Sequence, residues 1–400
     1  MPATPPPAPV QRYPELESLR GLMAWLVVSS HVLAQAGYHD RPLPRGLGVL
    51  RNGGLGIEVF IILSGFVIFH LLTSRPEPYG TFLFRRAVRL YPAYLLGLAA
   101  GIVLSFSAVH ILDALPWVGG ATVQVIRANW VASQAYFAPH VLLHLSLLHG
   151  LLPNEVLPYS SSAFLDVAWS LSLEWQFYLV APALLWAFLR YRSVAVLVFA
   201  GAVVACVRVQ PYFGDFYHAG RLLTWHLKSF LPLMIQLFAV GIGSFYLLRW
   251  LRLHLIALPR YLMLFVAAGA YVLDLPLCLA VWGVVLAVVA STGSAAEDPA
   301  TAAVRALLRS PPLQYFGKTS YSTYLLHTPV IYAATWLLER FDLIHGPAQF
   351  AVTLGGLTVG GVALVSYFSY HWVEQPPMDW VTRRFRRVPA PLGVILPFRS

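Results

Sequence analysis

Apolar runs of about 20 residues recur along almost the whole chain, and that feature restricts its possible folds more than any other. Wound as a helix, a run of that length crosses about 30 Å of hydrocarbon. Lipid offers a backbone no partners, so each run must satisfy its own N–H and C=O groups, and an all-α bundle follows. Composition agrees. Hydrophobic residues make up 58% of the 400 and charged residues 11%, where a soluble domain carries roughly 25% charged. The runs predict about ten transmembrane helices, at 19–36, 53–72, 91–112, 164–189, 194–210, 226–248, 256–272, 275–291, 319–338 and 348–371. No room remains for a sizeable soluble domain.

The net charge of +10 reads as a topology signal, not as a nucleic-acid footprint, because the basic residues sit in short loops and at span ends. With a cytoplasmic N-terminus, one side of the membrane collects Arg12 and Arg20; Arg75, Arg85, Arg86 and Arg89; Arg190 and Arg192; Arg249, Arg252 and Arg260; Arg305, Arg309 and Lys318; and Arg383, Arg384, Arg386, Arg387 and Arg399. That is most of the 27 lysines and arginines, so both termini are expected in the cytoplasm. Residues 1–14, rich in proline, read as a disordered cytoplasmic tail, 15–376 as the transmembrane domain and 377–400 as a basic cytoplasmic tail. No small-residue cleavage pattern follows the first span, so no cleavable signal peptide is expected. Cys206 and Cys278 each lie in an apolar run and form neither a disulfide framework nor a metal site. Between 113 and 163 an apolar piece from His140 to Leu152 is too short to span. It reads as an interfacial or re-entrant helix on the outer face, and its histidines His140, His144 and His149 lack the acidic or thiol ligand that would complete a metal set.

Titratable side chains at membrane depth cost several kcal/mol unless paired or hydrated, so each is a functional candidate. His31 lies 11 residues after Arg20, roughly 16 Å along the first helix. Glu58 sits about a turn and a half inside the outer end of the second helix. Glu174 is some ten residues into the fourth, and His327 about eight into the ninth. A histidine beside a carboxylate in a partly dry site is the usual arrangement of a general base. Satisfied polar groups that merely hold helices together are the competing reading. A second constellation is basic: in Phe84-Arg85-Arg86-Ala87-Val88-Arg89-Leu90-Tyr91-Pro92, Arg86 and Arg89 share a helix face, and Arg20 emerges on the same side of the membrane. Arginine forks match phosphate oxygens, whereas a stop-transfer cluster would only set topology.

Six segments then fall in a familiar order. They are Leu16-Glu17-Ser18-Leu19-Arg20-Gly21 with the Arg-x10-His spacing ending at His31; Gly56-Ile57-Glu58-Val59-Phe60-Ile61-Ile62-Leu63-Ser64-Gly65-Phe66; Arg85-Arg86-x-x-Arg89-Leu-Tyr-Pro; Trp169-Ser170-Leu171-Ser172-Leu173-Glu174-Trp175-Gln176-Phe177-Tyr178; Ser320-Tyr321-Ser322-Thr323-Tyr324-Leu325-Leu326-His327; and Trp372-Val373-Glu374-Gln375-Pro376. From Glu15 to about Pro376 the chain resembles acyltransferase family 3, integral membrane enzymes that O-acylate extracytoplasmic glycans and some antibiotics. Glu58 departs from the commoner aspartate of that family, and Ile61 from a phenylalanine. The extra hydrolase-like domain of some relatives is not expected here.

The resemblance implies an acetyl-CoA-dependent O-acetyltransferase of the bacterial inner membrane, without a metal. The phosphates of acetyl-CoA would bind from the cytoplasm at Arg85, Arg86 and Arg89, helped by Arg20 and Lys318, with His327 counted in the donor-binding set. The pantetheine arm would thread between helices towards His31. His31 would deprotonate the acceptor hydroxyl, with Glu58 or Glu174 orienting its imidazole; a covalent acyl-histidine is the alternative role. Glu58 is the preferred partner, because a short loop makes the first two helices antiparallel neighbours. The acceptor would be a sugar of a growing or lipid-linked exopolysaccharide or lipopolysaccharide. Trp117, Trp130, Tyr136 and Trp169 are placed either to stack on sugar rings or to form an interfacial aromatic belt. A proton-coupled secondary transporter is the reading from another class, but no matching pair of broken helices appears in the two halves of the sequence.

Overall fold

The computed structural model describes residues 12–38, 41–113, 115–118, 120–215, 223–254, 258–292 and 297–385. It is 79% helical, and the strands among the described residues are two three-residue pieces, β1 (Phe213–Asp215) and β2 (Leu223–Trp225), paired in parallel. The helices are α1 (Pro14–Gln35), α2 (Gly53–Ser74), α3 (Tyr79–Asp113), α4 (Gly120–Ala135), α5 (Phe137–Leu145), α6 (Trp169–Val209), α7 (Leu231–Leu253), α8 (Leu262–Val272), α9 (Leu277–Ser291), α10 (Pro299–Leu308), α11 (Pro311–Arg340), α12 (Pro347–Phe368) and α13 (Gln375–Arg384), with a π-helical turn at Ser369–Glu374 between the last two. Thirty prolines suit so helical a chain because many of them open helices, as at Pro14, Pro299, Pro311 and Pro347, where a missing N–H costs nothing. Asn52 caps α2 by accepting a bond from the Leu55 amide at 3.1 Å.

Each of the ten expected segments overlaps a helix. Among the described residues five stretches are long and apolar enough to cross a membrane: Gly53–Ser74, Tyr79–Leu104, Asp166–Tyr212, Leu231–Leu253 and Pro347–Arg384. The third of these holds two of the expected helices, separated by a non-helical residue, Arg192, at φ 46° and ψ −120°. α8 and α9 are apolar but shorter. Where a basic tail was expected from 377, helix α13 continues to Arg384; 386–400, and 1–11 of the expected N-terminal tail, lie outside the described residues.

Two helices too polar to join those five by composition, α1 and α11, pack against each other along most of their lengths. They run in the same direction and meet at paired glycines. A Cβ on Gly21 would stand 2.6 Å from the backbone nitrogen of Gly317, and one on Gly317 would strike the Glu17 carbonyl. Small residues let backbones approach this closely, which fixes the register of the two helices. α2 lies on α1 and α7, while α3 and α12 flank α11.

Candidate active site

The α1–α11 register places the first candidate pair. His31 is ten residues beyond Gly21 and His327 ten beyond Gly317, so equal helical rises bring them level. Their rings meet, with His31 Nδ1 3.2 Å from His327 Nε2. The network assigns the tautomers. His327 Nδ1 lies 2.7 Å from the Tyr324 carbonyl and must donate to it, so its Nε2 is the acceptor. His31 therefore donates from Nδ1, shared between His327 and the Val27 carbonyl at 3.0 Å, and its own Nε2 keeps a lone pair. Among the described residues no carboxylate bonds either ring. Two residues on, Pro329 withdraws the N–H that the Leu325 carbonyl would receive, which loosens α11 at this level.

Glu58, expected as the partner of His31, points elsewhere. Gly53 and Gly56 form the face of α2 that touches α1, a Cβ on Gly56 falling 2.8 Å from the Met23 carbonyl. Two residues further on is a turn of about 200°, so Glu58 faces α9, where it bonds the Cys278 thiol. Glu174 is also not on the His31 ring. It accepts from Ser64 Oγ at 3.0 Å and from the Tyr178 hydroxyl, and stands within electrostatic reach of Arg20. His327, expected with the donor-binding residues, sits with His31 instead.

Between the histidines and the arginines runs a column of polar side chains. The Tyr324 hydroxyl donates to the Val167 carbonyl at 2.9 Å and meets Ser170 Oγ at 2.8 Å. Glu174, Ser64 and Tyr178 follow, then Arg20, Arg86 and Arg89, which are the charges acting on Tyr178 and on Arg20. The arginines are not equivalent. Arg85 is ion-paired with Glu77 at 3.0 Å, off the line of a good hydrogen bond. Arg89 pairs at 3.5 Å with Glu374, a buried carboxylate that also accepts from Ser322. Among the described residues Arg20 and Arg86 form no ion pair, and Arg86 Nε is buried without a hydrogen-bond partner. Lys318 is exposed at the same end of the column. Tyr178, four residues after Glu174 in one of the quoted segments, was legible as its partner from i, i+4 spacing; the link between Arg89 and Glu374, 285 residues apart, carried no local signal.

The histidines of the 113–163 stretch do not converge on a point. α5 is too short to cross the membrane, and the ring of His144 stacks on His149 at 4.0 Å and 6° while the Tyr94 hydroxyl meets His144 Nδ1 at 3.0 Å. Burial depresses His140 and His149 to about 4, from 6.5 for a free side chain. An unfolded chain thus takes up protons below pH 6.5 that the folded protein refuses until about pH 4, so stability falls as pH drops through that window. The thermal midpoint in detergent is expected to fall between those limits and to fall less steeply in a His140→Gln/His149→Gln variant. Equal slopes would remove the two histidines as the cause.

Comparison with known proteins agrees with the geometry. Residues 13–369 match the family described as acyltransferase domain. The putative membrane-bound transacylase BcsY of Komagataeibacter xylinus is 28% identical over 94% of this chain and 85% of its own length. The acyltransferase MdmB of Streptomyces mycarofaciens is 27% identical over 96% of both. The peptidoglycan O-acetyltransferase OatA of Listeria monocytogenes is 24% identical over 91% of this chain and 55% of its own length. No solved structure matches. With a match across nearly the whole chain, the transporter reading falls away, and this multi-pass membrane protein belongs to acyltransferase family 3.

Proposed function

We propose that the protein is an O-acetyltransferase that moves acetyl from cytoplasmic acetyl-CoA to a sugar hydroxyl of an extracytoplasmic or lipid-linked polysaccharide, with His31 as general base. The observation that carries this reading is the polar column itself, which joins uncommitted guanidinium groups at one end to a histidine with a free lone pair at the other. The similarity to OatA, a peptidoglycan O-acetyltransferase, supports both the acetyl group and the glycan.

Arg20 and Arg86 fit the donor phosphates because a guanidinium with no carboxylate partner is free to fork onto phosphate oxygens. Arg85 and Arg89, already paired, hold that end of the column in shape. The thioester arm follows the column past Tyr324. His31 Nε2 then takes the hydroxyl proton as the oxygen attacks the thioester carbon. A C–O bond forms, the C–S bond breaks, and the thiolate of CoA recovers the proton from the imidazolium. His327 does for His31 what a carboxylate does elsewhere: it fixes the tautomer and leaves Nε2 unprotonated. Glu174, held by Ser64 and Tyr178, balances Arg20 along the way.

Two measurements test the reading. Calorimetric titration of the purified protein in nanodiscs with acetyl-CoA is expected to give one saturable site. Mass spectrometry of surface glycans from cells with and without the gene is expected to differ by one acetyl group per modified sugar. No acetyl-CoA binding, or identical glycans, would overturn it.

A further inference from the structure

Beyond His327, at the end of the column away from the arginines, lies a cavity of about 150 Å³. Its wall begins on α11 at Thr328, the residue after His327, and continues one turn on at Tyr332. Asp166, immediately before α6, and Trp130 of α4 face them across the space. Among the described residues three features make this more than a packing defect. The Thr328 hydroxyl oxygen is buried without a hydrogen-bond partner, in a residue only 8% exposed. The Trp130 indole N–H is buried without one as well. Asp166 offers a carboxylate whose one hydrogen bond is to the next amide, Val167 N at 2.8 Å, leaving its second oxygen uncommitted. Orphaned buried polar atoms cost free energy, and their convergence on one cavity points to a ligand that satisfies them.

We infer that this cavity is the acceptor subsite and that it takes a single sugar ring, with Asp166 accepting from ring hydroxyls, Thr328 and the Trp130 N–H bonding its oxygens, and the ring lying against Trp130 or Tyr332. The inference rests on the acetyltransferase reading and deepens it by naming what holds the acceptor. Polar groups spaced around an aromatic wall suit a polyhydroxylated ring. An acyl chain would leave the same groups unpaired. Thr328 follows His327 on α11, so the wall of the cavity begins within one helical rise of the level of the histidine pair. The neighbouring Asn129 and Ser162 are bonded to each other at 3.2 Å and so shape the wall without competing for the sugar.

The test uses the full chain in nanodiscs, labelled acetyl-CoA as donor and, as acceptor probe, a glycan extract from a host strain deleted for the gene, titrated by its hexose content. Asp166→Asn keeps a side-chain oxygen that can accept from the Val167 amide but removes the charge. It should raise the half-saturating glycan concentration about tenfold or more, while Thr328→Val and Trp130→Phe should raise it about threefold each. Acetyl-CoA affinity and the size-exclusion profile should be unchanged in all three. Glycan dependence within twofold of wild type in all three variants would overturn the subsite while leaving the transferase reading intact. A parallel loss of acetyl-CoA binding would do the same, since it assigns these residues to the fold. A wild-type protein that binds acetyl-CoA but acetylates nothing in the extract would overturn both.

Discussion

His31→Gln is expected to lower acetyl transfer by about 10²- to 10⁴-fold while leaving acetyl-CoA affinity within twofold. Glutamine retains a hydrogen-bonding side chain but has no basic nitrogen, so the acceptor hydroxyl would have to attack with its proton in place. Donor affinity should survive because Arg20 stands roughly 16 Å away along α1, with Arg86 and Arg89 of α3 at the same end of the column. Incorporation of labelled acetyl into alkali-labile glycan ester, set beside a calorimetric titration of the same preparation, reads both quantities. Near-normal incorporation would remove His31 from the chemistry, and a matching fall in donor affinity would make it a structural residue.

Arg86→Ala is expected to weaken acetyl-CoA binding by about 10- to 150-fold, the loss of one charge-assisted bond of roughly 1.5–3 kcal/mol. Arg86 gives the cleaner readout because among the described residues it has no ion-pair partner. Arg89→Ala is a different experiment, since it strands the buried Glu374 carboxylate and should show first as lost folded protein. Removal of the 3′-phosphate from the donor should cost the wild type more than it costs Arg86→Ala if that phosphate is the one held. Unchanged acetyl-CoA affinity in Arg86→Ala would return the cluster to a topological role.

Much of this site could be read from sequence, and what could not has a physical reason. Depth in the membrane follows from counting along a helix, so His31 and the arginines were placed at opposite ends of a column without coordinates. Azimuth does not follow in the same way, because the face a residue presents matters only once the neighbouring helices are known. Glu58 illustrates this: α1 and α2 do pack as neighbours, yet Gly53 and Gly56 take the contact face and turn the carboxylate towards α9. The glycines were in the sequence, and small residues at close helix contacts would have supplied the missing direction. The neighbour of His327 was not legible for a related reason. Its partner depends on the register of α1 against α11, set by Gly21 and Gly317, two residues 296 positions apart. The Arg89–Glu374 pair and the Asp166 cavity likewise join segments that no local pattern connects.

What distinguishes a base from a nucleophile at His31 is whether the acyl group or only a proton ever resides on it. Single-turnover rapid quench with labelled acetyl-CoA, the glycan extract and the protein in nanodiscs follows the label directly. The expected result is label passing from CoA to glycan ester in one phase, with none on the protein at any time. Label that appears on His31 and then drains into glycan at the rate of turnover would contradict it.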